Sequence, residues 1–410
     1  MAVLLGRLAA MVCVLATAPV IARALGPEGR GVTAAALAIL AVAPLVVALG
    51  VPLAIRRRLA VDGTARADLV RTGRVLAAST ALVSSAAAVP LEALALPGLD
   101  WPARVAFFVS MALVPLSVSW TIDANVLLVE RRFRLLGALS LVHGLVSTAM
   151  VVGFWAWGRL DVSTVLYAFL AGNVVTFLVG LVVVDDRGGR VSDVRDVIRE
   201  GCSLVAGQLA EVGAARVAQI AALPLLGPAA AGLHSVAATA GGVGAPVADA
   251  YANASFGRLA DRSDHGVLVA AVRRGAALAL LSGVAVACAA WALVPVAFGD
   301  PFTASRPLAL LVAATTTAAG VGAVGGAALA AQRCGQRMSM ARAVGLAASG
   351  ALLVPAAAWL GVTGVALAML VGSLLTTALI LRFVGVSPAQ AVPRPRDVVA
   401  SIRELFGVQR

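Results

Sequence analysis

The chain is a succession of apolar runs long enough to cross a lipid bilayer, and nothing else in it limits the fold as strongly. Roughly 20 residues of helix, at a rise of 1.5 Å each, span a hydrocarbon core of about 30 Å. Runs of this kind fall at 3–22, 32–54, 75–96, 103–129, 135–157 and 162–184. A second set falls at 202–226, 229–252, 275–298, 307–331, 340–360 and 362–384. In lipid each backbone amide must find its partner inside the protein, and continuous apolar runs achieve that as helices. A soluble core needs far less apolar surface, for the chain is 61% hydrophobic and only 13% charged. The expected fold class is an all-α polytopic membrane protein with about 12 transmembrane helices.

Arginine gives the orientation. The sequence holds no Lys, so all 32 basic residues are Arg, and the formal charge is +12. On a soluble protein that charge would suggest nucleic acid. Here about 25 of the arginines sit in the tail or in loops that follow even-numbered spans, such as Arg56, Arg71, Arg131, Arg190, Arg273 and Arg337. Only Arg23, Arg30, Arg104, Arg159 and Arg306 lie in the other loops. Basic loops stay inside, so both termini are expected in the cytoplasm, the protein in the bacterial inner membrane, and no nucleic acid among its partners. The start of the chain could pass for a signal peptide, but the apolar pattern runs on into further spans, so 3–22 is read as the first of them. Cys13, Cys202, Cys288 and Cys334 are scattered and match no ligand spacing. No metal, disulfide framework or cofactor is expected.

The pattern is also duplicated. Leu25-Gly26-Pro27-Glu28-Gly29-Arg30-Gly31 is echoed by Leu226-Gly227-Pro228-Ala229-Ala230-Ala231-Gly232, about 201 residues on. Val70-Arg71-Thr72-Gly73 is echoed by Val272-Arg273-Arg274-Gly275, Glu130-Arg131 by Gln332-Arg333, and Gly158 by Gly361. Landmarks in one order at nearly the same offset indicate an internal repeat. Six spans per half return the chain to its starting side, so the repeats share orientation, related by an axis along the membrane normal. The domains read as 1–185, a linker at 186–201, 202–384, and a cytoplasmic tail at 385–410. Val191, Val194, Val197 and Ile198 give the linker one apolar stripe, as in an interfacial helix. The tail, with Pro388, Pro393 and Pro395 and an amphipathic piece near Val398–Phe406, reads as solvated at the membrane surface.

Several stretches, taken in order, resemble the bacterial oligosaccharide flippase family of the multidrug/oligosaccharidyl-lipid/polysaccharide exporter superfamily. They are ARALGPEGRG, the ERRFR loop, LLGPAAAGLHSVA, FGDPFTASRPLALL and WLGVTGVALAMLVGSLL. The resemblance implies two six-helix bundles in a V around a central cavity, working by alternating access. It implies flipping of a polyprenyl-diphosphate-linked oligosaccharide from inner to outer leaflet for polysaccharide export. A glycan polymerase or glycosyltransferases are then candidate partners besides the bilayer and the lipid-linked glycan. Ala218 departs from the family, whose members often carry an acidic residue there beside a Gln.

Ionisable groups inside the membrane usually face a cavity or a partner, because lipid charges at least about 2.5 kcal/mol for them. Six residues are therefore candidates for substrate binding in the cavity: Arg7, Glu211, Arg216, Gln219, Asp123 and Asp249. A guanidinium suits phosphate oxygens, so Arg7 and Arg216 are candidate phosphate ligands. Glu211 is a candidate proton or sodium site. Five residues apart, Glu211 and Arg216 point about 140° from one another, so each needs a partner elsewhere. Snorkelling at the span end competes for Arg7, and helix-end polarity for Asp123, Asn125, Asp249 and Asn253. His143 and His234 read as packed and hydrogen-bonded, and Glu92 as meeting water near the outer end of its span. No constellation for catalysis is present and the outer loops are short, so an enzyme such as a glycosyltransferase or ligase is not expected. The alternatives to a flippase are a multidrug/cation antiporter, which needs cavity carboxylates, and a non-transporting membrane scaffold.

Overall fold

The computed structural model describes residues 2–61, 66–259, 265–332, 334–398 and 400; the side chains of 2–11, 257 and 258 lie outside that description. Among the described residues there is no strand. Eight helices are long and apolar enough to cross a membrane, or nine if the bent pair Trp101–Ala112 and Val114–Val129 is one crossing. Contacts divide the chain into two compact units, one of Met1–Leu209 with Gln219–Gly232, the other of Ala210–Ala218 with Leu233–Arg410.

The first unit holds α1 (Ala2–Val47), α2 (Val51–Val61), α3 (Arg66–Ala95), α4 (Trp101–Ala112), α5 (Val114–Val129), α6 (Phe133–Ala156) and α7 (Val162–Val183). Helix α1 has 46 residues, about twice what one crossing requires, and Gly26 breaks it with φ +65° and ψ −175°. A left-handed φ is strained for any residue with a Cβ, and Pro27 then starts a fresh helix with its φ already set. Ile39, Leu69, Phe107, Ile122 and Leu166 make the buried centre of this unit. Helix α7 opens on a capping box. Asp161 accepts the Thr164 amide at 2.8 Å and the Ser163 hydroxyl at 2.6 Å, and the Thr164 hydroxyl accepts the Asp161 amide. Partial burial works to raise the Asp161 carboxyl, but the hydrogen bonds from Ser163 and Thr164 outweigh it and hold it below its ordinary range.

Helix α8 (Val194–Leu226) takes up most of the linker's apolar stripe and runs straight on through the seventh apolar run. Val197 is buried and Val191 is exposed. It stops at Gly227, with φ +83° and ψ 173°, before α9 (Pro228–Gly241). Gly26 and Gly227 thus repeat one backbone break at equivalent places in the two halves. Left-handed glycines also recur at Gly98 and Gly299, and at Gly158 and Gly361. Within the first unit the two breaks meet. A Cβ on Gly31 would lie 2.0 Å from the Pro228 carbonyl oxygen, and one on Gly232 would lie 1.9 Å from that of Pro27. Each motif's glycine therefore seats against the other motif's proline, the reciprocal contact expected of a local two-fold.

The second unit continues with α10 (Ala245–Leu259), α11 (His265–Phe298), α12 (Ser305–Ala331), α13 (Gly335–Phe383) and the short α14 (Pro388–Ala391). Helix α13 has 49 residues, broken at Gly361 with φ +60°. Its two halves interlock through small residues: a Cβ on Gly345 would meet the Thr376 hydroxyl at 1.8 Å, and one on Gly372 would meet the Ser349 hydroxyl at 1.8 Å. Tyr251, Val272, Leu278, Val324 and Leu381 form the buried centre. The segment after α13 is not solvated as expected. Val386, Ala391 and Asp397 are buried, and Asp397 pairs with Arg273 on α11 at 2.7 Å. Residues from 401 on, with most of the expected amphipathic piece, lie outside the described residues.

Large apolar side chains stand on the exterior of both units, including Leu82, Leu94, Val182, Trp157 and Trp359, each more than 70% exposed. Such surfaces suit lipid and would aggregate in water. The chain is a multi-pass membrane protein.

Candidate functional site

The second unit carries an open cavity of about 330 Å³. Its walls come from α8, α10, α12 and both halves of α13, and Ala and Gly make up much of the lining because bulkier residues would fill it. Three charged side chains line it, Glu211 from α8, Asp249 from α10 and Arg342 from α13. An Arg342 guanidinium N–H donates to Glu211 Oε2 at 2.6 Å. Direct packing holds the two helices at this level, since Leu346, one turn on from Arg342, lies 3.3 Å from where a Cβ on Gly213 would sit.

The rest of the polar lining is hydroxyl. Thr315, Thr316, Ser373, Thr376 and Thr377 donate to the carbonyls of Leu311, Gly241, Thr315, Gly372 and Ala318 at 2.7–3.2 Å. With those protons committed to backbone, each oxygen keeps lone pairs to offer. Together with the two carboxylates they put a minority of acceptors on an otherwise apolar wall, in which Arg342 is the strong donor.

The first unit carries a different cluster. Asp123 on α5 is fully buried and accepts from Arg74 on α3 at 3.1 Å. Arg74 also reaches Asp186 at 2.9 Å and the Val184 carbonyl at 2.7 Å, and Arg71 reaches Asp186 at 3.6 Å. Nearby, Arg66 pairs with Glu130, Arg58 donates to Glu200 at 2.9 Å, and Thr72 exchanges hydrogen bonds with Ser192. The bonds of Arg71, Thr72 and Arg74 pin the segment after α7 onto the start of α3, while Arg66 holds the end of α5 and Arg58 ties α2 to α8. Deeper in the same unit, Ser117 and Trp120 both donate to Asn173 Oδ1, at 2.8 and 3.1 Å. The His143 ring stacks on Trp120 with centroids 6.2 Å apart.

Of the six residues the sequence offers, the structure brings Glu211 and Asp249 to one cavity. Arg216 and Gln219 are half-buried and neither lines it. Asp123 stands in the ion cluster of the first unit, and the side chain of Arg7 lies outside the described residues. Asn125 donates back to the Thr121 carbonyl of its own helix. Glu92 is 14% exposed and paired with Arg104 at 2.9 Å, so the water it was expected to meet is replaced by a guanidinium. Sequence reasoning missed Arg342, which reads as one more loop arginine. It also missed the hydroxyls, which look like ordinary small helix residues. The Thr315–Thr317 run on α12, and Ser373, Thr376 and Thr377 at helical spacing on α13, were the available signal.

A continuous set of apolar helices, two of them broken at glycine, with a cavity in one unit that carries three charged side chains, defines an all-helical membrane fold. A scan of the sequence against protein-family models finds no match, and a search of the curated proteins finds none. Solved structures do match. The chain is similar to the lipid II flippase MurJ in an inward closed conformation, with a TM-score of 0.75, 12% identity, and 98% of this chain and 91% of that one covered. It is similar to the MATE multidrug transporter DinF-BH, with a TM-score of 0.65, 13% identity, and coverage of 99% and 95%. An outward-facing MATE family transporter of the MOP superfamily gives a TM-score of 0.60 at 13% identity, with coverage of 99% and 94%. The chain has the fold of these transporters.

Proposed function

We propose that the protein is a bacterial inner-membrane transporter that flips a polyprenyl-diphosphate-linked oligosaccharide from the inner to the outer leaflet for polysaccharide export. The observation that carries this reading is the match to a lipid II flippase along almost the whole chain, with a higher TM-score than the two drug transporters named above. Alternating access requires repeated elements that move as bodies, and the recurring glycine breaks at Gly26 and Gly227 supply matching joints. Twelve crossings follow if α1 and α13 each cross twice, α4 with α5 crosses once, and α9 with α10 crosses once. Each repeat then forms a six-helix bundle, with 1–185 and 202–384 as the two domains. Trp101, Trp155, Trp157, Trp291 and Trp359 are exposed at ends opposite the arginine-rich loops. Tryptophan prefers the headgroup level at either face, so this belt marks the span ends opposite the arginine-rich loops, and the arginines assign that rim to the outside.

A multidrug/cation antiporter is the second reading, favoured by the two carboxylates that line the cavity. Purified protein in vesicles separates the two. A fluorescent short-chain polyprenyl-diphosphate saccharide should become accessible on the far leaflet faster than in empty vesicles, while a lipophilic dye cation should not accumulate. The converse result selects the antiporter, and activity with neither leaves a scaffold.

A further inference from the structure

In the cavity of the second unit, Glu211 needs positive charge. It stands on a largely apolar wall of about 330 Å³ of space, with five hydroxyls whose protons go to backbone carbonyls. Oxygen acceptors arranged in this way stabilise a cation, and in a membrane interior an uncompensated carboxylate is costly. The chain answers that demand from within. Arg342 places its guanidinium on Glu211 at 2.6 Å, and the side chains are 26% and 58% exposed, so the pair is reachable from the cavity rather than sealed. The backbone beneath Arg342 is held by the Gly345–Thr376 crossing and by the Gly213–Leu346 contact, so the guanidinium is presented from a fixed base.

We propose that Arg342 is a tethered counter-ion, which occupies on Glu211 the place a free monovalent cation would take. While the pair is closed, Glu211 binds neither sodium nor potassium. A planar guanidinium with several N–H donors outcompetes a hydrated ion for one carboxylate because it is covalently held at high local concentration and need not be stripped of water on each occasion. For function, a consequence that rests on the transport reading above, turnover should not require a sodium or potassium gradient acting through Glu211.

The test needs no transport substrate, so it can fail or succeed independently of the flippase reading. Thermal unfolding of the purified full-length protein in detergent is followed against sodium, potassium and methylguanidinium, with a bulky organic cation keeping ionic strength constant. The wild type should show no saturable response. Arg342→Ala should unfold at lower temperature and regain stability saturably with methylguanidinium, and sodium should now shift it upward as well. Adding Glu211→Gln to that variant should abolish the response, and Arg342→Lys, which keeps a tethered cation, should behave as the wild type. If Arg342→Ala does not accumulate, Arg342→Gln takes its place. A saturable sodium or potassium shift in the wild type overturns the proposal. So does an alanine or glutamine variant that responds to no cation, or one whose response survives loss of the Glu211 carboxylate.

Discussion

Asp123 shows how a single residue changes meaning once its neighbours are known. In the sequence it is one carboxylate near a span end, equally suited to a cavity or to the headgroups. In the structure it is fully buried, its partner Arg74 is 11% exposed, and Arg74 is shared with Asp186. Breaking a buried pair from one side leaves a charge with no compensation, at a typical cost of 3–5 kcal/mol. Arg74→Ala should therefore destabilise the protein by about 3 kcal/mol or more, read as a lower unfolding temperature and less protein in the membrane. Pairing it with Asp123→Asn should recover a large part of the loss. Equal stability of the single variant and the wild type would show that the cluster is decoration. Glu211 went the other way: its need for a partner outside its own helix was legible from the five-residue spacing to Arg216, but the partner's identity was not. Arg342 is 131 residues away and no local pattern links them.

Among the elements, the breaks matter as much as the helices. The LGPxxxG turns were readable as helix breakers because Gly and Pro act locally, through φ and a missing amide hydrogen. That the two turns meet was not readable, since it depends on how two helices approach. Gly31 and Gly232 each leave no room for a methyl group beside a carbonyl oxygen. Gly31→Ala or Gly232→Ala should each cost about 1–3 kcal/mol, because the opposing backbone must move. Gly153→Ala and Gly350→Ala make the control, as a Cβ at either meets nothing within 4 Å. Those two should be neutral or stabilising by up to about 1 kcal/mol from helix propensity alone. Thermal unfolding of the four variants compares them directly, and equal effects would mean the crossing is loose. The segment after α13 teaches the same lesson: its prolines and charges read as solvated, and Asp397 is nevertheless drawn to Arg273.

For the whole molecule, membrane class and helical content were plain from run length and charge content. The orientation argument rests on where Arg falls, and it makes a definite prediction. Alkaline phosphatase fused after Gly158 should be active outside the membrane, whereas a fluorescent protein fused to the C-terminus should glow in the cytoplasm. Phosphatase activity from a C-terminal fusion would reverse the assigned topology. The match to flippase and MATE structures at 12–13% identity shows how little sequence this fold demands. Lipid supplies the requirement for helices, and small residues supply close approach; neither fixes many particular side chains.

By itself, then, the sequence determined that the chain crosses a membrane many times and that it breaks at Gly26, Gly227 and Gly361, but not the breaks inside the runs 32–54, 103–129 and 229–252. Those properties are set residue by residue, by transfer from water to lipid and by local backbone freedom. Only the tertiary structure decided that Glu211 and Asp249 share a cavity, that Arg342 joins them, and that Asp123 is locked to Arg74. In lipid, helix packing is chosen by the fit of small side chains rather than by which face is apolar, so hydropathy carries no record of which helices become neighbours.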